Sequence, residues 1–510
     1  MKIFVTENKT AMKLKFIILN LLLLAGALCA ATPEYFVFDN GVGRGNWTPE
    51  AQAKTLKELG YTGITYRYTN PEDLARWQKE CRKQKVKINA LYVYTYLDRT
   101  NKFDPGFKDA IKLLKGTDTV IWMTVMKPKT KGDHDAEAVS NVQEVADLAA
   151  AQGLRVALYG HFGFYVETGL DSARIVKLAN RPNVGATINL CHEFLSGHGN
   201  ELEETLRVVA PLATMVSING VDLANTNYIV RLDQGDFDLT AYLKKLSAAG
   251  YHGPVVLQCY NVKGDTLENL TANIATWRRI KGELADQSPS APPQNTLSAK
   301  ETASGWKLLF DGKTTDGWRG FQKAAFPDKG WVVENGCLKC LGQKGGDIVT
   351  TSTFTNFEVS WEWRLSFRAN SGLKYFVDEK RADAAGKIYS TAIAHEYQTI
   401  DDKNFIAEPL NEKKLTGAWY DVVPPKNAKP RPLGEFNQSR LVVRGNKVEH
   451  RLNGKRVVNY KTDGAESASK IANSKFKDVP GFADKIPTPI LLQDHNTVVW
   501  FRNIKLRELK

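Results

Sequence analysis

The sequence predicts two domains of different class in one chain: a (β/α)8 TIM barrel followed by an all-β sandwich of the jelly-roll type. Three observations carry this expectation. The chain has 510 residues, too many for one ordinary core. Residues 33–282 repeat one phrase about eight times: a short β-branched run, a turn, then an amphipathic stretch. Beyond residue 303 the texture changes to alternating, aromatic-rich runs with Gly and Asn turns.

The elements follow in order. "MKLKFIILNLLLLAGALCA" (12–30) has a basic start, an apolar run and a small-residue end, the pattern of a secretory signal; its apolar run is short for a bilayer span. Residues 1–31 are therefore expected to be removed on export to the periplasm or outside, leaving no transmembrane segment in the mature chain. Cys29 as a lipid anchor is the lesser alternative, because Leu28 before it is a poor match to the small residue expected there. Residues 32–282 supply the barrel strands "YFVFDNG", "YTGITYR", "KVKINALYVY", "DTVIWMTVM", "LRVALYGH", "VGATINL", "ATMVSIN" and "GPVVLQCY". Helical patterns such as "TPEAQAKTLKELG" lie between them, with Thr, Asn or Asp at their starts and Gly at several ends. An open doubly wound sheet is the rival, but no GxGxxG turn follows the first strand. Residues 283–303 are rich in Pro, Ser, Ala and Gln without apolar period and read as a linker. Residues 304–510 form the sandwich, in which "HRLNGKRVV" predicts a hairpin turning at Asn453-Gly454.

Composition excludes some function classes. The formal net charge is +13, but Lys2, Lys9, Lys13 and Lys15 fall in the expected signal. The remaining basic residues are scattered, with acids beside them and no aromatic interleaving, so a solvated surface is expected and not a nucleic-acid site. Six cysteines at irregular spacing do not describe a disulfide framework. The pair in "CLKC" (Cys337, Cys340) sits in a strand-like run that would send its sulfurs to opposite faces, and no second pair follows.

Active sites of such barrels lie at the C-terminal ends of the strands. Those ends carry Asp39, Asn40, Arg67, Tyr92, Tyr94, Tyr159, His161, Asn189, His192, Asn219, Gln258 and Tyr260, with Glu167 close by. Amides, hydroxyls and flat rings suit a hydroxyl-rich ligand. Across "LYGHFGFYVET", "PNVGATINLCHE", "VSINGVDL" and "GYHGPVVLQCY" the barrel resembles the sugar phosphate isomerase/epimerase (xylose isomerase-like) superfamily. In the metal-dependent members, strands five to eight offer a Glu, an Asp followed by a His, a His, and a final Glu. The matching positions here are Tyr159, Asn189 with His192, Asn219 and Gln258. Neutral amides do not offset the desolvation of a divalent ion. No cofactor is firmly implied: a metal would need a relocated site built on His161, Glu167 and His192, and a metal-free sugar pocket is the favoured expectation. His192 stays a candidate proton carrier.

In the second domain, "HEYQ" puts Glu396 and Gln398 on one face, with His395 and Tyr397 on the other. "LQDH" puts Gln493 and His495 together and Asp494 opposite, unless the strand has already ended. Glu396 and His495 converging with Lys374 and Asn370 would make a workable acid/base group. Residues 304–510 resemble the 3-keto-disaccharide hydrolase domain, a concanavalin-like sandwich, through "LFDGKTTDGWRG", "NSGLKYFV", "HEYQTIDD", "TGAWYDVVPP", "SKFKD" and "LLQDHNTVVWFRNIKLREL". One departure is Phe376, where many members carry Arg; Lys374 is the replacement cation expected. The resemblance implies hydrolysis of 3-keto-glycosides, by elimination and then hydration. Glu396 or His495 would be base and the other acid, with Lys374 at the oxyanion; Asn370, Gln398, Gln493 and Asp494 would bind the carbohydrate. Two alternatives stay open: a secreted glycan-binding protein with a silent barrel, and a metal-dependent sugar epimerase.

Overall fold

A computed structural model describes residues 33–286 and 293–510. The signal sequence expected over 1–31, with Cys29, lies outside the described residues. The chain divides into two compact units, the first ending at Leu270 and the second running from Thr271 to Lys510. Among the described residues no helix is long and apolar enough to cross a membrane.

The first unit is a closed barrel of eight parallel strands. In order they are Tyr35–Phe38, Gly63–Arg67, Lys87–Tyr96, Val120–Met126, Val156–Leu158, Val184–Asn189, Ala213–Ile218 and Val255–Leu257. The last pairs with the first, Tyr35 opposite Val255, which closes the ring. All eight predicted runs became these strands, and several of the helices between them start where the sequence signals. Thr48 Oγ1 accepts the Ala51 N–H at 3.2 Å and Asn70 Oδ1 accepts that of Asp73 at 2.8 Å, each ahead of a helix with Pro in its first turn. Gly60 ends the first of these helices at φ 86°, a left-handed conformation that favours glycine. Inside the ring, inward residues of several strands meet as Phe36, Phe38, Tyr92, Trp122, Tyr159 and Met215. Trp122 and Tyr159 pack with ring centroids 4.4 Å apart, so the aromatic residues fill the interior instead of lining a channel.

The second unit is a sandwich of two antiparallel sheets. One has eight strands and includes Phe357–Leu365, Asn437–Arg444, Lys447–Leu452, Lys455–Lys461 and Val498–Glu508. The other has five, ordered Trp318–Gly320, Ile348–Thr350, Leu491–Leu492, Asn370–Tyr375 and His395–Ile400. Alternation decides the core: Phe357, Val359, Trp361 and Trp363 from the large sheet meet Leu373, Tyr375 and Tyr397 from the small one. The predicted hairpin turns at Asn453 (φ 47°) and Gly454 (φ 82°), with Leu452 opposite Lys455. Residues 293–303, the second half of the segment read as a linker, are tied to this sandwich. Asn295 and Asn503 exchange side chain-to-backbone hydrogen bonds of 2.6 and 2.8 Å, and Glu301 pairs with Lys505. Cys337 and Cys340 are buried, unpaired core residues of one strand.

Candidate active site

The candidate site of the sandwich is a cavity of about 290 Å³ over the small sheet, on the side away from the core. Two adjacent strands build its floor. Lys374 stands opposite Glu396 and Gly372 opposite Gln398, so period-two alternation aims both 396 and 398 outward. The same alternation sends His395 and Tyr397 inward. His395 bonds Tyr460 Oη and the Phe482 carbonyl at 2.7 and 2.9 Å, and Tyr397 Oη accepts from Ser439 Oγ at 2.9 Å. Phe376 also points into the core, fully buried against Tyr375 and His395. It is therefore no part of the cavity, whereas Lys374 is.

All seven sandwich residues singled out from the sequence line this one cavity: Asn370, Lys374, Glu396, Gln398, Gln493, Asp494 and His495. Asp494 joins Gln493 and His495 because the strand carrying them ends at Leu492, which releases the strict alternation. Gln493 N–H donates to the Gly372 carbonyl at 3.0 Å, and Ser371 Oγ donates to the Gln493 carbonyl at 2.7 Å. Two acceptors inside the cavity, Asn370 Oδ1 and Gln493 Oε1, are buried without a partner among the described residues. Buried polar atoms left open in this way are places where a hydroxyl-rich ligand can donate.

Charge is concentrated around Glu396. Its Oε2 lies 3.7 Å from Lys374 Nζ, which also donates to the Ala392 carbonyl at 2.8 Å. Burial is the dominant influence on the Glu396 carboxyl and holds its pKa above the usual Glu value; Lys374 and then Lys475 oppose it. Burial likewise raises Asp347, whose Oδ1 accepts the Asp494 N–H at 2.9 Å. Lys475 sits over the rings of Tyr420 and Phe476, 4.2 and 5.1 Å from their centroids, and burial lowers its pKa against the pull of Glu396. Asp347, Tyr420 and Lys475 line the cavity without having been singled out from the sequence. Tyr420 and Lys475 do lie in two stretches that carried the resemblance, "TGAWYDVVPP" and "SKFKD", but no spacing links those loops to the strands.

At the barrel's strand ends the groups bond one another. Asn189 Nδ2 donates to the Gly160 carbonyl and its Oδ1 accepts from Ser217 Oγ, both at 2.8 Å. Gln258 Oε1 accepts from Asn40 Nδ2 and from the Cys259 N–H, and its amide donates to Tyr159 Oη at 3.4 Å. His192 Nε2 shares a hydrogen with Tyr159 Oη at 3.0 Å, and its Nδ1 accepts the Phe162 N–H at 3.3 Å. Asn219 donates to the Gly220 and Tyr228 carbonyls, and Glu167 Oε1 accepts the Gly163 N–H at 3.0 Å. Burial lowers the pKa of both His192 and His161, whose rings lie 4.1 Å apart, so both imidazoles are neutral near pH 7.

This donor set does not fit the divalent metal that the fold family implies. The oxygens of Asn189 and Gln258 and both nitrogens of His192 already hold protein partners. Among the described residues no three His, Cys, Asp or Glu side chains form a group that could hold a metal ion. What the mouth does expose is aromatic: Phe162 is 46% and Tyr260 56% exposed.

Comparison with known proteins gives one result for each domain. Residues 305–507 match the 3-keto-alpha-glucoside-1,2-lyase-like domain family, and residues 53–280 match the xylose isomerase-like TIM barrel family. A 3-keto-disaccharide hydrolase of Bacteroides thetaiotaomicron is 32% identical over 256 residues, covering 44% of this chain and 85% of that protein. A solved structure from Parabacteroides distasonis, described as a candidate glycosyl hydrolase, is 31% identical, covering 43% of this chain and 100% of that one at a TM-score of 0.39. A 3-keto-D-glucoside 4-epimerase of E. coli is 13% identical, covering 49% of this chain and 100% of its own at a TM-score of 0.40.

Proposed function

Because this chain belongs to the 3-keto-disaccharide hydrolase family and is a carbohydrate hydrolase, we propose that its sandwich cavity cleaves 3-keto-glycosides. The observation that carries this reading is a buried carboxylate, Glu396, whose charge is supported by Lys374 and Lys475, on the floor of a cavity with open amide acceptors. A ketone at C3 acidifies the hydrogen on C2. The base takes that proton, and the C–H electron pair forms the C2–C3 double bond of an enolate whose oxygen Lys374 stabilises. Collapse of the enolate forms a C1–C2 double bond, breaks the C1–O bond and expels the leaving oxygen, which takes a proton from the acid. Water then adds to the conjugated enone, its hydroxyl to C1 and its proton to C2, so the net reaction is hydrolysis.

Glu396 is the base of choice, because burial makes its carboxylate a stronger base than an exposed Glu. His495, across the same cavity, is the acid for the leaving oxygen. This route needs no pair of carboxylates flanking an oxocarbenium ion. Replacing Glu396 with Gln keeps the shape and removes the base. Turnover of a 3-keto-glucoside should fall about 10²–10⁴-fold, and unchanged turnover would remove Glu396 from the mechanism.

The barrel is read as a metal-free sugar site that holds or processes the released keto-sugar, with Phe162 and Tyr260 as the exposed rings under its C–H face. Titrating 3-keto-glucose into the Glu396→Gln protein, with and without Phe162→Ala and Tyr260→Ala, tests this. Identical isotherms would sink it. Export is part of the proposal too, supported by residues 12–30; a mature protein from a secreting host that still begins at Met1 or Met12 would contradict it.

A further inference from the structure

The outer face of the large sheet carries a second charged feature, separate from the catalytic cavity. Strands Asn437–Arg444, Lys447–Leu452 and Lys455–Lys461 lie side by side, and their register sets the outward residues in three cross-strand rows. One row is Arg440, Arg451, Arg456 and another is Arg444, Lys447, Lys461. Between them run Val442, Glu449 and Asn459. With strands about 4.8 Å apart and rows about 7 Å apart, six cations share a small plate. These residues line a groove of about 780 Å³, one wall of which is the start of the helix Ala465–Ala472.

Like charges directly opposite one another across strands are destabilising, and here two whole rows are made of them. The nearby acids do not balance the plate. Glu358 is shared by Arg440 and Arg507, and Glu449 by Arg451 and Arg456. Arg444, Lys447 and Lys461 have exposed side chains. Arg440 Nε is buried without a partner among the described residues. After burial, the fields of Arg451 and Arg507 do most to lower the Arg440 pKa, with Glu449 opposing them.

We propose that this plate binds an anionic polysaccharide chain carrying uronate or sulfate groups, and so anchors the hydrolase to acidic glycan while the cavity acts on small glycosides. Arginine forks match planar carboxylates and sulfates bidentately. The six cations of the plate stand on strands, and none stands on the helix that walls the groove. Its one lining ring, Tyr460, is buried, so no exposed ring is offered to stack nucleic-acid bases.

Native affinity electrophoresis of the full chain through gels containing polygalacturonate, neutral dextran or double-stranded DNA tests the proposal. Polygalacturonate should retard the protein in a salt-sensitive way and dextran should not. Arg444→Gln/Lys447→Gln/Lys461→Gln should weaken polygalacturonate binding at least tenfold with turnover of a 3-keto-glucoside unchanged. Arg451→Gln/Arg456→Gln, on the other row, should act alike and covers the case in which the triple variant does not fold. Lys54→Gln/Lys108→Gln/Lys112→Gln on the barrel removes the same charge elsewhere and should bind within about twofold of wild type. No retardation by polygalacturonate, or equal loss in the barrel variant, would overturn the proposal. Tighter binding to DNA than to polygalacturonate would overturn it in favour of a nucleic-acid partner.

Discussion

Gly372 lies directly beneath the Glu396 carboxylate: a Cβ at 372 would come within 2.4 Å of Oε1 and 2.8 Å of both Cγ and Cδ. The missing side chain on one strand is thus what lets the acid of its neighbour lean over the cavity floor. Gly372→Ala should displace Glu396 without touching the core. A shift near 1 Å costs catalysis about 100-fold, so kcat for a 3-keto-glucoside should fall by about that factor with little change in thermal midpoint. Turnover within about twofold of wild type would show that the Glu396 position is unimportant.

The same carboxylate sets an expected pH profile. As the proposed base, Glu396 must be ionised, and burial raises its pKa above the ordinary 4.5. The acid limb of kcat/KM therefore lies above pH 4.5 and falls as pH drops. Lys475 opposes that rise, so removing its charge makes ionisation harder. Lys475→Met should move the acid limb to higher pH; a shift to lower pH would break the link between Lys475 and Glu396.

Asn189 is held at both ends, by Ser217 and by the Gly160 carbonyl, inside the barrel. Asn189→Asp restores the acid found in metal-dependent barrels, but puts a carboxylate oxygen against a carbonyl oxygen. The variant should lose about 2–4 kcal/mol of stability and gain no tightly held divalent ion by elemental analysis. A stable variant with stoichiometric metal would show that the site had only lacked its charge.

Glu193 offers a stability test. Burial raises its pKa to about 7, opposed by the Gly169 N–H that its Oε1 accepts at 2.7 Å. Below about pH 4.5 folded and unfolded chains are both protonated there. Between 4.5 and about 7 the folded protein binds a proton that the unfolded chain has lost, so stability from this group falls as pH rises, then levels off. The full loss is on the order of 3 kcal/mol. Glu193→Gln keeps the Gly169 contact and should flatten that slope, leaving the variant more stable than wild type at pH 8. Parallel denaturation curves for the two proteins at pH 5 and pH 8 would refute this.

Much of the fold was legible because its signals are local. Eight β-branched runs with capped helices between them state a barrel, and Asn453-Gly454 states its hairpin. The cavity was half legible. Glu396 and Gln398 share a face by period-two alternation alone, and Lys374 lies on a strand with readable phase, whereas Asp494 and His495 follow the strand end at Leu492, where alternation no longer decides direction. Asp347, Tyr420 and Lys475 were not legible, since they sit on loops where no period predicts direction. Tyr92 and Tyr159 were misleading, since a strand-end ring looks the same in sequence whether it lines the mouth or fills the interior.

The sequence by itself determined the two fold classes, the face that Glu396 shares with Gln398, and the amide-rich strand ends of the barrel, because these depend on residue type and short-range period. Only the tertiary structure decided where the charges meet. Glu396 became a buried base candidate because Lys374, Lys475 and a sidechain-free Gly372 were brought to it from other segments. Asn40 and Gln258, and likewise Asn189 and Ser217, became partners because strand ends converge. Six scattered cations became a plate because antiparallel register, which no single strand encodes, set them in rows.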